Sequence, residues 1–542
     1  MKNKIIITII TILALFLRLH KLGQLPNSYT PDELAQGYTA YSLLKTGTDE
    51  WGSQNYFSFR SFGDYKPPLQ TWLMIPAIKL FGLTPLAARL PNALLSALAI
   101  PLIFLVVKKL FASPAVALLS ALFLALSPAH LPMSRLALEA NILPTLILLA
   151  SFFLLSSSRP RNLILSGFFF ALSLFCYHSA KVFIPLFLLL LIFHQKLKPK
   201  QILILTLPIV LTILFIFINN RQIAVNRTTD IAIFNPTDNW SAVSDSQYQA
   251  HQNGLAVFPA RLFNNKLTYL YRLFSKNYFS YFSPQFLINS GAGETTYGML
   301  PDIGILGLAP SIGLVYALFF ILTQKSHRRS LVLLFSALLL APIPAALAKG
   351  NYSANRASLM LPFLVILSAF GLQKLYQKFK PKYLVLPLLA LFLFDSLYFL
   401  QLYFFQANQI LADGLLFGRK QAVEYVNQHF PDQQIIFSTK LSEPQAYVAF
   451  FTPQSPQITQ QYSPDWLRFQ TEGRSFLDQL GRYQLDRFTF QTLDFVRDSQ
   501  LKNTILVGQP QEFPPDINSH IIYYPFATNK KPAITIYQNE TL

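Results

Sequence analysis

Five short stretches of this 542-residue chain set ionisable side chains hard against long apolar runs, and charge beside hydrocarbon is costly enough to be kept mainly for function. The first is the pair Asp32-Glu33 in PDELAQGYTAYSLLKTG. A carboxylate there could act as catalytic base, taking the proton of a hydroxyl or amine as it attacks an activated carbon. Equally, both acids could simply favour the dipole of a helix over 34–44. The second is Lys66 in GDYKPPLQTW, an ammonium on a backbone stiffened by two prolines. Such a fixed point charge suits a phosphate; a lysine snorkelling to lipid headgroups is the blander reading. In SRLALEAN, Arg135 and Glu139 stand four apart, on one face of any helix that holds both. They could form a stabilising ion pair, or supply a phosphate-binding guanidinium and a second catalytic carboxylate. YHSAK brings together His178 and Lys181, candidate substrate contacts, with no HExxH-type metal spacing. NYSANRASLMLP places Arg356 at the mouth of an apolar run, after Tyr352 and Asn355. An arginine there could clamp a phosphate through two parallel hydrogen bonds, or anchor the chain at the interface. Asp395 lies inside the last apolar run and is read as pairing within a helix bundle.

What must position these residues is a membrane body. The chain is 52% hydrophobic and only 13% charged, with a mean hydropathy of +0.37, against about 45–50% and about 25% for soluble domains. That excludes an ordinary soluble globular protein. Apolar runs of spanning length are expected at 4–20, 86–107, 113–129, 136–156, 162–177, 181–195, 201–218, 303–323, 331–348, 356–373 and 383–404. A shorter run, 68–82, carries Lys79 and two prolines. If it lies along the interface rather than spanning, one side receives Lys2, Lys4, Lys108, Lys109, Arg159, Arg161, Lys196, Lys198, Lys200, Lys325, Arg328, Arg329, Lys374, Lys378, Lys380 and Lys382, and no acid. By the positive-inside rule that side is cytoplasmic. The formal charge of +19 is therefore a topology signal, and no nucleic-acid partner is expected. A single cysteine, Cys176, rules out an internal disulfide. The basic, apolar amino terminus lacks a small-residue cleavage site and is read as a retained anchor.

The expected fold class is thus a polytopic α-helical membrane protein of about eleven transmembrane helices, followed by an extracytoplasmic α/β domain. Residues 1–404 form the membrane domain, with extracytoplasmic loops at 21–85 and 219–302 that carry interfacial helices. Within the first loop, Leu34, Tyr38, Tyr41 and Leu44 fall roughly on one face, which suggests an amphipathic helix at the membrane surface. Residues 405–542 change composition sharply. FGRKQAVEYVNQHF and EPQAYVAFF read as helices, and IIFST, FTF, TILVG, IIYYP and AITIY as short strands. Carboxylates, lysines and arginines from five segments then share one membrane face. Such a rim above apolar helices suits a substrate with a polyisoprenoid tail in lipid and a phosphate-sugar head at the surface.

An early acidic pair in PDELAQGYTAYSLL, then YKPPLQTW, AARLPNALLSAL with KKLF, and SRLALEANILPTL together resemble the GT-C membrane glycosyltransferases. The resemblance is to the branch of protein O-mannosyltransferases and aminoarabinose lipid A transferases, and it extends through YFSPQFLINSGAGETTYGMLPDIGILGL and NRASLMLPFLVILSAFGL to about residue 375. It implies an inverting transferase that takes a sugar from a polyprenyl-phosphate monosaccharide, at the outer face of the plasma membrane, to a protein, lipid or glycan acceptor. On that resemblance Asp32 is the base or acceptor-positioning acid, with Glu33 beside it, Lys66 lies near the donor phosphate, and Glu139 is a second catalytic acid. Arg135 and Arg356 are further phosphate ligands. Tyr65, where some relatives carry an acid, joins His178, Lys181 and Asn355 as a candidate substrate contact and argues against a metal at that point. No cofactor is required, although a divalent cation could replace one of the basic side chains. Two other classes remain: a transporter or lipid flippase, which would place its charges near mid-membrane and often show inverted repeats, and a scaffold that merely displays 405–542.

Overall fold

Proline writes the helix starts of this protein. In the computed structural model, which describes residues 1–219, 232–350, 352–379, 382–526 and 530–538, helix α2 (Pro31–Thr46), α4 (Pro85–Phe111) and α5 (Pro114–Ala125) each begin on a proline behind a Thr or Ser. The Thr30, Thr84 and Ser113 side chains accept from the backbone N–H of Glu33, Ala87 and Val116. Proline loses nothing at that position, because the first helical N–H has no partner within the helix, and the hydroxyl satisfies a second orphan. Helix α1 (Lys2–Leu19) opens the chain and α3 (Leu69–Phe81) fills the 68–82 run.

Every expected apolar run coincides wholly or largely with helix. Among the described residues, seven helices are long and apolar enough to cross a membrane: Pro85–Phe111, Glu139–Ser156, His178–Gln195, Pro199–Asn219, Arg328–Ala346, Met360–Lys378 and Leu386–Ile410. Leu69–Phe81, Pro114–Ala125, Pro160–Leu174 and Leu308–Thr323 are apolar but shorter. Of the basic residues assigned to the cytoplasmic side, Lys380 lies outside the described residues, as do 220–231 of the second loop and Asn351.

The carboxyl-terminal region builds a six-stranded sheet in the order β4-β5-β3-β6-β8-β7. Its strands are β3 (Gln434–Ser438), β4 (Arg482–Leu485), β5 (Phe488–Gln491), β6 (Thr504–Gly508), β7 (His520–Tyr523) and β8 (Pro532–Gln538). The centre, β5-β3-β6, is parallel and almost wholly buried, whereas the flanking pairs are antiparallel. Strand β4, RYQL, was not among the expected strands. It alternates exposed and buried residues at the sheet edge, and a four-residue run with Arg and Gln gives too weak an apolar signal.

One expectation needs correcting. Helix α2 does not lie along a surface, because Leu34 to Ala40 are buried all the way round. One apolar cluster joins Tyr29, Leu34 and Tyr38 to Met74 and Ala88 below and to Phe437, Tyr447, Phe450 and Tyr483 above. Gly37 has no room for a side chain, since a Cβ there would stand 2.7 Å from Phe450. The Tyr38 hydroxyl donates to the Gln454 carbonyl at 2.9 Å. A helix with one apolar stripe was expected to meet lipid with it; here the carboxyl-terminal region covers the second face.

Candidate active site

Two arginines buried to the last atom fix the link between α1 and α2. Arg135 spends its terminal nitrogens on the main-chain carbonyls of Leu17, Arg18, His20 and Leu25, at 2.7–2.9 Å, with its plane over Phe404. Arg89 donates to the carbonyls of Pro26 (2.7 Å) and Ser28 (2.9 Å) and forks onto Glu33, with Nε–Oε1 at 2.5 Å and Nη2–Oε2 at 3.1 Å. Such planar, two-point bonding is the geometry for which guanidinium is suited. The start of α2 is thereby clamped, and with it the neighbouring residue Asp32.

Lys66 comes from the opposite side on a two-stranded hairpin, β1 (Phe59–Arg60) and β2 (Tyr65–Lys66), in which Phe59 pairs with Lys66 and Arg60 with Tyr65. The turn is closed by the Ser61 N–H on the Asp64 carbonyl at 2.7 Å, and Pro67-Pro68 ends the strand. Alternation along a strand sends neighbours to opposite faces. Tyr65 accordingly turns to Arg60, whose Nη2 donates to its hydroxyl at 3.1 Å, while Lys66 turns inward. Its ammonium, 9% exposed, lies 2.8 Å from Asp32 Oδ1 and 3.3 Å from Asp64 Oδ2. Burial alone would lower the Lys66 pKa; the carboxylates of Asp32, Glu139 and Glu443 outweigh it and hold the ammonium charged above its ordinary range. The Asp32 side chain stays 39% exposed, so a substrate can reach it.

Glu139 approaches from a third direction. It opens a single turn, Glu139–Asn141, after the extended residue Leu138. The carbonyls around it are fastened by Asn92, which donates to those of Leu136 and Leu138 at 2.9 Å, and by Ser358, which donates to that of Ala140 at 3.0 Å. The carboxylate is buried and faces Lys66, Asp32 and the Gln36 amide. A fourth group comes from the turn before Met360–Phe379. There Glu294 Oε2 accepts the Ala354 N–H at 3.0 Å, and Arg356 Nη1 donates to the Lys349 carbonyl at 2.9 Å. Tyr297 joins the two sides, as it feels Asp32 and Lys66 as well as Glu294 and Arg356; burial raises its phenol pKa.

The structure thus brings together Asp32, Lys66 and Glu139, with Arg356 on the same basin. His178 and Lys181 occupy the first turn of His178–Gln195, Nζ to Nδ1 at 3.3 Å. The imidazole faces Lys66 and the Tyr65 backbone. Asn355 is buried, and its Oδ1 has no hydrogen-bond partner among the described residues. Four expectations are corrected. Glu33 is committed to Arg89 and so is withdrawn from the reacting groups. Arg135 is committed to main-chain carbonyls, which leaves no terminal nitrogen for a phosphate. Arg135 and Glu139 share no helix face, because the helix His130–Ser134 ends at Arg135 and Leu138 is extended. Tyr65 is turned to Arg60 rather than to the carboxylates. Asp64 was missed, although its spacing of two from Lys66 in GDYK carried the signal. Glu294, Tyr297 and Glu443 had none, since only tertiary packing brings them near. No group of three or more His, Cys, Asp or Glu side chains with metal-holding geometry occurs among the described residues.

The family model for dolichyl-phosphate-mannose-protein mannosyltransferases matches residues 65–220, a span that contains Lys66 and Glu139. Among solved structures, ArnT from Cupriavidus metallidurans in the apo state superposes with a TM-score of 0.54 at 10% identity, over 99% of this chain and 98% of that one. The same protein bound to undecaprenyl phosphate gives 0.53 at 11% identity, over 98% and 97%. Among curated proteins, none matches this chain by sequence.

Proposed function

We propose that this chain, a mannosyltransferase-like integral membrane protein with the fold of the GT-C glycosyltransferases, moves a sugar from a polyprenyl-phosphate monosaccharide to a hydroxyl-bearing acceptor with inversion at the anomeric carbon. One observation carries the reading. A buried ammonium, Lys66, is held between Asp32 and Asp64 at the mouth of an apolar helix bundle, with Asp32 still open to substrate. In the reaction the acceptor oxygen attacks the anomeric carbon and the bond from that carbon to the phosphate oxygen breaks. Lys66, aided by Arg356, stabilises the charge left on the departing polyprenyl phosphate. Asp32 takes the acceptor proton, while Glu139 orients Lys66 and the sugar. Such a phosphate leaves readily, so the two basic side chains need supply only modest stabilisation, and a divalent cation could replace one of them. The lipid tail lies among the apolar helices, as suits a chain similar in fold to a protein whose structure holds undecaprenyl phosphate.

If the eleven apolar runs alternate across the bilayer, sixteen basic residues fall on one side, which supports a cytoplasmic amino terminus, with the basin and the sheet region beyond the outer face of the plasma membrane. The experiment is a panel of radiolabelled polyprenyl-phosphate monosaccharides presented to the purified protein in nanodiscs, with peptide, lipid and glycan acceptors. One donor should yield a product of inverted anomeric configuration. If no donor is consumed while a labelled polyprenyl lipid crosses the bilayer instead, the transporter reading replaces this one.

A further inference from the structure

A second hollow lies in the carboxyl-terminal sheet, a cavity of about 450 Å³ that shares no lining residue with the basin. Pockets that take small molecules fall in this range of size. Strand alternation accounts for its polar floor. In β4 and β5, Tyr483, Leu485, Phe488 and Phe490 turn to one face of the sheet, where they join Phe437 and the helix Pro444–Phe451 in an apolar cluster. Their neighbours must turn to the other face. There Arg482 stands opposite Gln491 and Gln484 opposite Thr489, with the Gln484 amide donating to the Thr489 hydroxyl at 3.3 Å. On the adjoining strands the same face carries Ile436 and Leu506, packed with Leu493, Phe495 and Phe513. That face is thus apolar over β3 and β6 and polar over β4 and β5.

The path of the chain walls off the polar half. From the carboxyl end of β3 it enters Pro444–Phe451 on the first face, whereas from the end of the adjacent parallel strand β5 it crosses the second face, through Leu493 and Phe495, to β6. Where connections diverge in this way at neighbouring parallel strands, α/β sheets open a crevice in which ligands bind. Here the crossing segment brings Thr492, Arg497, Asp498 and Leu501 to the cavity, against Arg482 and Gln491 of the sheet.

These side chains are set for an anion. Asp498 is buried, and both of its oxygens are used: Oδ1 accepts Arg497 Nε at 2.8 Å, and Oδ2 accepts Gln491 Nε2 at 3.1 Å and the Asp494 N–H at 2.9 Å. The Arg497 guanidinium is thereby held at Nε, and its two terminal nitrogens have no partner among the described residues. The Arg482 guanidinium has none there either. Terminal guanidinium nitrogens of this kind bond a carboxylate or phosphate through parallel hydrogen bonds. We propose that the cavity is a second binding site, in which Arg482 and Arg497 hold a small hydroxyl-rich oxyanion, a monosaccharide that bears a carboxylate or a phosphate. The site stands independently of the transferase reading.

The test is calorimetric titration of the full chain in nanodiscs with glucuronate, glucose 6-phosphate and neutral glucose. At least one of the two anions should bind and glucose should not; which anion binds tells whether the site takes a carboxylate or a phosphate. Arg482→Gln and Arg497→Gln should each weaken that binding about ten- to hundredfold, the effect of losing a hydrogen bond to a charged group, and Lys66→Ala should leave it unchanged. Arg482 is exposed on the edge strand, so its variant carries the test if loss of Arg497 unsettles the buried Asp498. The proposal falls if neither anion binds, if glucose binds as well as they do, or if Arg482→Gln binds as wild type does. It falls equally if Lys66→Ala abolishes the binding, which would put the anion in the basin. Failure of both anions to bind would leave the transferase reading as it stands.

Discussion

Neighbouring acids at 32 and 33 do different work because of what each side chain meets. Asp32 reaches the Lys66 ammonium and remains open to substrate, whereas Glu33 is sealed against the Arg89 guanidinium. Neutralising Glu33 leaves Arg89 buried and uncompensated, which costs about 3–5 kcal/mol in such pairs. We expect Glu33→Gln to lower the thermal unfolding midpoint in detergent markedly, while the molecules that remain folded bind undecaprenyl phosphate as wild type does. Equal loss of phosphate affinity in the folded fraction would return Glu33 to the reacting groups. At this scale the sequence was legible where an ionisable residue met a local oddity, as with Lys66 before two prolines. It misled where a partner was sought nearby. Glu33 finds its partner 56 residues on, and Arg135 finds carbonyls more than 100 residues back; no pattern of spacing encodes either.

Helices position these residues through their crossings. Leu308–Thr323 and Met360–Phe379 approach so closely that a Cβ on Gly371 would stand 1.7 Å from the Gly313 carbonyl oxygen, and one on Gly313 would stand 2.2 Å from that of Ser368. Small residues allow helices in lipid to touch backbone to backbone and gain the packing that apolar burial cannot supply there. The second helix follows directly on the turn that carries Arg356. Gly371→Ala should therefore force the pair apart and destabilise the protein by about 1–3 kcal/mol, read as a lower unfolding midpoint. Gly481→Ala, where a Cβ meets open space, should leave it unchanged. Equal midpoints for the two variants would contradict the close crossing. The helices themselves were readable because twenty apolar residues in a row leave few alternatives. The break between Arg135 and Glu139 was not, since LALE has nothing that forbids a helix; Asn92 and Asn141 pull those carbonyls out of it.

For the whole molecule, the membrane body and the sheet region share a core, and the candidate basin lies on their seam. Tyr29, Leu34 and Tyr38 on one side and Phe437, Phe450 and Tyr483 on the other belong to one apolar cluster. Composition marked the change at residue 405 but could not show that the carboxyl-terminal region covers α2. In the proposed reaction Asp32 and Lys66 are the two halves of one centre, the first for the acceptor proton and the second for the leaving phosphate. The most direct measurement is the initial rate of sugar transfer in nanodiscs, from the donor that the panel identifies, by wild type, Asp32→Asn and Lys66→Ala, alongside undecaprenyl phosphate binding by the same preparations. Transfer should fall about 10²–10³-fold in each variant, the usual cost of removing one group that stabilises the transition state, with phosphate binding lost only in Lys66→Ala. Folded variants that transfer sugar at the wild-type rate would contradict the account.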